Sequence, residues 1–374
     1  MIKVLQLINY PGKGGSERYI ASLVKELHQD CVFYCAHSED GDLLQELEAL
    51  NVDQFRIPMA GPFDLRAALR LKQLCRQLQI DVVHTHYLRE NYIGILARLL
   101  GNRAKLVYTR HILGQDTAKS AWANRIMLRF ENQIIAVSAA VKQELRALGV
   151  PPAKVAVIYN GVDFDYWHDG AGSAIRQELG LPADEFLVTC IARFAPDKGH
   201  SFLLQAIKDF NETGQVLAGK VKFLLVGDGE LLEQFQSMVH TSPGYENVIF
   251  AGYRRDVRNI LHGTDLYVSP SANEALGISV LEALACGVPV VITKVGGQQE
   301  IIADGTAGYL IDYGDINRFT EILRQLVGNR ELRDRLSIQA QKVVRAKFSL
   351  AGMARATLEV YLKTTFTEAA QKRV

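Results

Sequence analysis

Cysteine is scarce in this chain of 374 residues: five, an odd number, scattered from Cys31 to Cys286. Cys31 and Cys35 lie four apart inside an apolar run, which fits a buried strand better than a metal knuckle. Neither a disulfide framework nor a zinc site is therefore expected. Net charge is also nearly absent. The 42 Lys and Arg against 41 Asp and Glu leave +1, so no basic field argues for nucleic acid as a partner. No apolar run approaches the ~20 residues of a membrane span. The opening stretch, Met1 to Ile8, is too short for a signal peptide and lacks a cleavage site. A cytoplasmic protein is expected, with peripheral contact at an inner membrane face as a variant. What is present is an ordinary globular composition, 48% hydrophobic and 22% charged, over a length that suits two domains of roughly 150–200 residues.

The first half repeats one theme: a short β-rich apolar run, Gly or polar punctuation, then a helical period. Lys3 to Asn9 reads as a buried strand, Pro11 to Gly15 as a turn, and Ile20, Leu23, Val24 and Leu27 fall at helical spacing. Further strands are expected at 32–36, 54–57, 81–85, 105–109, 133–137 and 155–158, with helices such as 65–78 and 139–148. The rhythm lapses between Asn160 and Leu181 and then restarts, with strands at 186–192, 222–226, 248–251, 266–269 and 288–293. Alternation of this kind implies mostly parallel sheets covered on both faces. The expected fold is α/β, two doubly wound Rossmann-like domains facing a central cleft. Residues 1–165 would form the first domain and 166–352 the second, with a final helix at about 353–374 whose Met353, Ala356, Leu358, Val360 and Tyr361 give it an apolar side that could dock on the first. In such sheets ligands sit beyond the carboxyl ends of the strands.

The stretch from Ser269 to Val291 is the most informative. A strand ends at Ser269, Glu274 lies in the following loop, Gly277 marks the turn, and a helix begins near Ile278. Glu282 would project from its second turn, eight residues after Glu274. Two carboxylates flanking free helix amides suit sugar hydroxyls and a phosphate, respectively. The plainer reading makes Glu274 a cap and Glu282 an exposed helix residue. Arg193 and Lys198 follow the strand ending near Ala192, five residues apart in a loop that opens a helix. Two cations there can hold a diphosphate and strengthen as it departs; the plainer reading is two solvated surface charges.

Glu274 to Val291, followed by Val295-Gly296-Gly297-Gln298-Gln299-Glu300-Ile301-Ile302, resembles the signature of family-four retaining glycosyltransferases of the GT-B fold: E-x7-E, A-x-A-C-G-x-P-V-V, then G-G-x-x-E-I-I. Other matches fall in order along nearly the whole chain: Gly14 to Arg18, Asp81 to His86, Ala136 to Ser138, Asn160 to Asp163, Ala192 to Gly199, and Val226 to Gly229. The resemblance implies that Arg193 and Lys198 bind a donor pyrophosphate, Glu274 orients the donor sugar, and Glu282 bonds the ribose. Amides around Leu276, Gly277 and Ile278 would complete the phosphate cradle, and the base would lie near Gly252 to Arg254. It also implies that the Gly15 loop closes over the diphosphate and that His111 stands near the reacting carbon. Gly12, Gly14 and Gly15 do not form the dinucleotide pattern, and no acidic ribose ligand follows the next strand, so a nicotinamide enzyme is disfavoured.

Three histidines end two strands. His84 and His86 flank Thr85, and His111 ends Thr109-Arg110-His111. His-x-His invites a metal, but no third ligand appears in a matching loop. His111 and then His86 are the acceptor-side candidates, against a structural reading of both. Asp163-Phe164-Asp165 is a D-x-D, read as part of the turn leaving the first domain, so no metal and no cofactor is expected. Between Arg98 and Arg129 lie seven cations (Arg98, Arg103, Lys105, Arg110, Lys119, Arg125, Arg129) and one acid, Asp116, interleaved with Trp122, Ile126, Met127 and Phe130. Residues 98–130 would either rest on an anionic membrane or acceptor, or pack an amphipathic helix on the sheet.

The resulting expectation is a retaining transferase. It would move a hexose-type sugar from a nucleoside-diphosphate sugar, of UDP or GDP type, to an acceptor hydroxyl in cell-envelope glycoconjugate or polysaccharide synthesis. The competing expectations are a nucleotide-sugar epimerase or hydrolase on the same fold, and a non-catalytic nucleotide-sugar-binding protein. A lipopolysaccharide core, a lipid-linked sugar and a soluble molecule all remain open as acceptors.

Overall fold

A computed structural model describes residues 1–12, 14–114, 118–170, 174–182, 184–213 and 219–371, with the side chains of 118–120 and 367–371 left aside. The chain divides into two compact units, Met1–Asn160 with Leu350–Val374, and Gly161–Ser349. The first unit therefore ends at Asn160 rather than 165, and its last helix joins at Leu350 rather than near 353.

In chain order the first unit holds β1 (Ile2–Ile8), α1 (Gly15–Leu27), β2 (Cys31–His37), α2 (Asp42–Ala49), β3 (Asp53–Arg56), α3 (Leu65–Leu78) and β4 (Val82–Thr85). Then come α4 (Leu88–Leu99), β5 (Lys105–Arg110), α5 (Ala118–Met127), β6 (Gln133–Ala136), α6 (Ala139–Ala147) and β7 (Val155–Val157). Its seven strands run in the order β3-β2-β1-β4-β5-β6-β7, every pair parallel. The apolar runs form strands because both faces are covered. Ile2, Val4 and Ile8 pack with α1 on one side, Leu5 and Leu7 with α3 and α4 on the other.

The second unit holds α7 (Phe164–His168), α8 (Ala174–Glu178), β8 (Phe186–Ile191), α9 (His200–Thr213), β9 (Val221–Val226), α10 (Leu232–Thr241) and β10 (Val248–Gly252). It continues with α11 (Val257–His262), β11 (Leu266–Ser269), α12 (Ile278–Ala285), β12 (Val290–Thr293), β13 (Gly308–Ile311), α13 (Ile316–Gly328) and α14 (Arg330–Lys347). Its six parallel strands run β10-β9-β8-β11-β12-β13. The chain then re-enters the first unit as α15 (Leu350–Gln371), whose Leu350, Met353, Ala354, Val360 and Tyr361 are buried against the β1 and α1 side.

In each sheet the strand order reverses once, between β1 and β4 and between β8 and β11. Loops leaving two such strands diverge to opposite faces, which opens a crevice at their carboxyl ends. The segments at these two reversals are 9–12, 14–15 and 86–87 in the first unit, and 192–199 and 270–278 in the second. Two expectations need correction. The segment 160–181 is not a plain connection but carries α7 and α8, and the edge strand β13 was not anticipated.

Candidate active site

In the second unit the loop after β8 is fixed from beneath. Phe194 is fully buried, its ring stacked on His200 at 4.1 Å, and its amide donates to the Asp228 carbonyl at 2.7 Å. The neighbouring Gly227 has φ +142°, and a Cβ there would stand 2.1 Å from the Ala192 carbonyl oxygen; only glycine lets the two loops touch. With Phe194 buried inward, Arg193 points out. Its guanidinium is exposed and has no partner among the described residues.

Pro196–Lys198 forms a single 3-10 turn, and the Asp197 carbonyl accepts from the amides of Ala272 (2.8 Å) and Asn273 (3.3 Å) in the loop after β11. Gly199 closes this junction: at φ +70° its Cβ would lie 1.9 Å from the Pro270 carbonyl oxygen. The two loops of the crevice are thus stitched together by backbone, and their side chains meet. Lys198 Nζ donates to Glu274 Oε2 at 2.9 Å and stands 3.2 Å from Asp197 Oδ2. Burial pulls the Lys198 ammonium down, but the carboxylates of Glu274 and Asp197 outweigh it and hold it above the ordinary value.

Just beyond, α12 begins at Gly277, which has φ +98° and provides no side-chain cap. The amides of Ile278 and Ser279 have no backbone partner among the described residues, leaving the positive end of the helix dipole beside Glu274. Tyr267 underpins this end: its hydroxyl, fully buried, meets the Ile191 carbonyl (3.1 Å) and Ser279 Oγ (2.8 Å). Lys198, Glu274 and the free helix amides, with Arg193 exposed on the same loop as Lys198, are groups whose chemistry can hold a phosphate and sugar hydroxyls. Leu276 and Gly277 are buried and Ile278 is half-buried, so what this turn offers is backbone.

Glu282 differs from the projecting residue that its helical spacing suggested. It is only 2% exposed, enclosed near Tyr267 and Cys286. Arg254 is also placed differently. Its guanidinium is clamped by both oxygens of Glu178 (2.5 and 2.9 Å) and both of Asp256 (2.7 Å each), so its side chain ties the loop after β10 to α8. The Gly-Gly-Gln-Gln loop, unassigned by physical reading, buttresses the site. The Gly297 amide donates to the Glu274 carbonyl at 3.0 Å, and the buried Gln298 reaches the Ser269 carbonyl at 3.3 Å. The signal lay in its place after β12, the strand beside β11.

In the first unit Gly14, Gly15 and Ser16 follow β1 and Tyr87 follows β4; the Ser16 hydroxyl meets the Tyr87 hydroxyl, and His111 stands beside Tyr87 at 6.5 Å between ring centres. Gly14 is the N-cap of α1, and the Glu17 carboxylate folds back against it. His111 is partly exposed and held by what precedes it. Arg110 is fully buried, donates to Glu144 Oε1 at 2.6 Å, and Glu144 also accepts from the Gly114 amide. His86 is enclosed, 1% exposed, between His111 Nε2 (3.1 Å) and Gln6 Oε1 (2.7 Å). It stands behind His111 rather than beside it in the opening. His84 uses both nitrogens internally, on Tyr361 Oη (2.6 Å) and Thr109 Oγ1 (2.7 Å), which leaves none for a metal. Asp163 of the D-x-D caps α7 by accepting from the Tyr166 amide.

Two parallel doubly wound units, with candidate crevices at both strand reversals, define the GT-B class of glycosyltransferases. The comparisons agree. The family model "Glycosyltransferase Family 4" matches residues 13–166 and "Glycosyl transferases group 1" matches residues 173–343, so the two span nearly the whole chain. The N-acetyl-alpha-D-glucosaminyl L-malate synthase of Bacillus anthracis is 29% identical over 308 residues, 80% of this chain and 79% of that one. The UDP-Gal:alpha-D-GlcNAc-diphosphoundecaprenol alpha-1,3-galactosyltransferase of Escherichia coli is 26% identical over 72% of each. Among solved structures, Anabaena HepE in complex with UDP-glucose superposes with a TM-score of 0.86 at 23% identity, covering 96% of this chain and 99% of that one, a likeness of fold. This chain belongs to the family-four glycosyltransferases.

Proposed function

We propose that the protein transfers a hexose-type sugar from a nucleoside-diphosphate sugar to an acceptor hydroxyl, with retention of configuration, in glycoconjugate synthesis. The observation that carries this reading is the Lys198–Glu274 pair at 2.9 Å beside the uncapped start of α12, with Arg193 unpaired nearby. Arg193, Lys198 and the helix amides would take the diphosphate; Glu274, held by Lys198, would accept from sugar hydroxyls. Each positive group gains as negative charge grows on the departing phosphate, which lowers the barrier. Same-face attack, with that phosphate helping to deprotonate the acceptor, accounts for retention without an enzyme nucleophile. His111 from the first unit would meet the reacting hydroxyls. Of the two donor types left open by the sequence, UDP is favoured by the UDP and UDP-glucose of HepE.

The test is a thermal-shift panel of UDP and GDP sugars, followed by NMR of the anomeric product. A UDP sugar should raise the melting point, and transfer should give the donor's own anomeric configuration with a rate unchanged by EDTA. Inversion would reject the mechanism, and fast release of free sugar without acceptor would favour a hydrolase.

A second observation supports membrane contact. Trp122 (70% exposed), Ile126 and Phe130 face outward at successive i,i+4 positions, flanked by exposed Arg125 and Arg129. The end of α4 joins them: Arg98 donates to the Phe130 carbonyl at 2.9 Å, with Leu99, Leu100 and Arg103 exposed. An amphipathic helix packing on the sheet would bury the apolar stripe that is here turned out. Arg110 drops out of the basic stretch because it is buried, and Asp116 and the Lys119 side chain lie outside the described residues. Among the described residues no helix is long and apolar enough to cross a membrane. Aromatic and basic residues together suit the surface of an anionic bilayer. Vesicles containing phosphatidylglycerol should sediment the protein and pure phosphatidylcholine should not; Trp122→Ser with Arg125→Ser should abolish the difference. Equal binding by that variant would remove this reading.

A further inference from the structure

Gln6 lies mid-strand in β1, is 1% exposed, and faces the same side of the sheet as its register partner His84 on β4, a buried polar group among apolar neighbours. Its Nε2 is a buried polar atom with no hydrogen-bond partner among the described residues, so what offsets the burial of this amide falls to its carbonyl oxygen. Its carbonyl oxygen lies 2.7 Å from His86 Nε2, and His86 Nδ1 lies 3.1 Å from His111 Nε2. The ring of Tyr19 from α1 meets all three histidines edge-on, at 6.2, 5.9 and 5.0 Å from His84, His86 and His111. The titratable groups acting on His86 are His84, whose ring centre is 4.4 Å away, and His111.

A neutral imidazole has one N–H and one lone pair. If His86 gives its Nε2 proton to the Gln6 carbonyl, its Nδ1 is left with the lone pair. The contact to His111 must then be a donation from His111 Nε2–H. His111 Nδ1 is in turn left with a lone pair, and among the described residues it has no hydrogen-bond partner. We propose that Gln6 is a positioning residue which, through His86, fixes His111 in the tautomer that presents an accepting Nδ1 to a substrate hydroxyl. One buried amide thereby sets the polarity of a group two rings away. The role at substrate rests on the glycosyl-transfer reading; the tautomer does not.

The experiment separates the two. Nitrogen-15 NMR of histidine-labelled protein should show His111 and His86 protonated at Nε2 in the wild type. In Gln6→Leu the preference should vanish, kcat/KM should fall at least tenfold, and UDP binding should be unchanged. Gln6→Glu, which retains an accepting oxygen, should keep both tautomers and most activity, and its carboxylate should move the acid limb of the pH profile upward. A purely structural Gln6 would lower the melting point in both variants and leave tautomers and pH profile untouched. His111 protonated at Nδ1 in the wild type, or wild-type kcat/KM and tautomers in Gln6→Leu, overturns the proposal. Should no donor and acceptor pair turn over, the transfer reading fails, while the spectra still decide the relay.

Discussion

Arg193 and Lys198 are both cations of the same loop, yet they are placed for different losses. Arg193 is exposed and unpaired, so Arg193→Ala should change stability by no more than about 0.5 kcal/mol. Turnover should nevertheless fall by ~10²–10³, the usual cost of removing one donor to a developing oxyanion. Lys198→Ala should lose as much rate and some stability too, since Glu274 and Asp197 are left to face each other. Steady-state rates and melting curves measure both, and near-normal turnover in either would reject its role. These charges were legible because a cation after a strand needs a reason. Gln6 and Gln298 were not, because an amide inside a strand or a loop looks like solvated surface until its burial is seen. Titration offers a second residue-level prediction. Burial holds His84 and His111 down to about 3 and His200 to about 4, and pushes His86 well below the ordinary ~6.5 of an unfolded chain. Their stabilisation is complete above ~6.5 and lost as acid protonates the unfolded chain. Glu131 is opposite: burial raises it to about 8, so its contribution is lost as pH rises through 8. Stability should peak near pH 6.5, each group tilting the curve by ~1.4 kcal/mol per pH unit inside its window. Glu131→Gln should flatten the alkaline limb between pH ~6.5 and about 8 and steepen the acid limb above ~4.5, where its window overlaps that of the histidines; an unchanged alkaline limb would contradict this.

Among the elements, the strands ending at Ile8, Thr85, Ile191 and Ser269 were readable because both faces are covered and the runs are apolar throughout. Their order was not, since pairing is decided by which helix covers which face. β13 escaped because Gly308 and two half-buried residues leave little pattern in four positions, and α7 and α8 are five residues each. The turn at Gly199 could be recognised as a motif but not explained from sequence, because its requirement is the Pro270 carbonyl of another loop. Gly199→Ala should therefore cost about 1–3 kcal/mol and reduce activity, by forcing apart the loops that carry Lys198 and Glu274. Gly180→Ala is the control: it has a similar φ of +62° with nothing within 4 Å of the added carbon. It should lose ~1 kcal/mol and no rate. Equal effects of the two variants on kcat would show that the close approach at Gly199 does not position the site.

At the scale of the molecule, each unit has apolar clusters of its own among the described residues. One set joins β1, α1 and α15, another β1, α3 and α4, while Phe194, Phe210, Phe223 and Phe319 centre the second unit's own. α15 is the one stretch of the first unit that the chain reaches only after completing the second. Its return could be suspected from the spacing of Met353, Val360 and Tyr361, whereas the bond from Tyr361 Oη to His84 Nδ1 links residues 277 positions apart and has no sequence signal. Separate cores predict separate responses, read by hydrogen exchange of each sheet. Tyr361→Phe removes the partner of a buried ring nitrogen and should lower the stability of β1, β4 and β5 by ~1–3 kcal/mol, leaving β8, β9 and β11 unchanged. UDP at a hundredfold over its dissociation constant should do the reverse, protecting β8, β9 and β11 by ~2.7 kcal/mol if its phosphates sit at Lys198 and α12. Protection spread equally over both sheets would place the nucleotide's contacts elsewhere. Destabilisation of both by Tyr361→Phe would mean that the two units unfold as one.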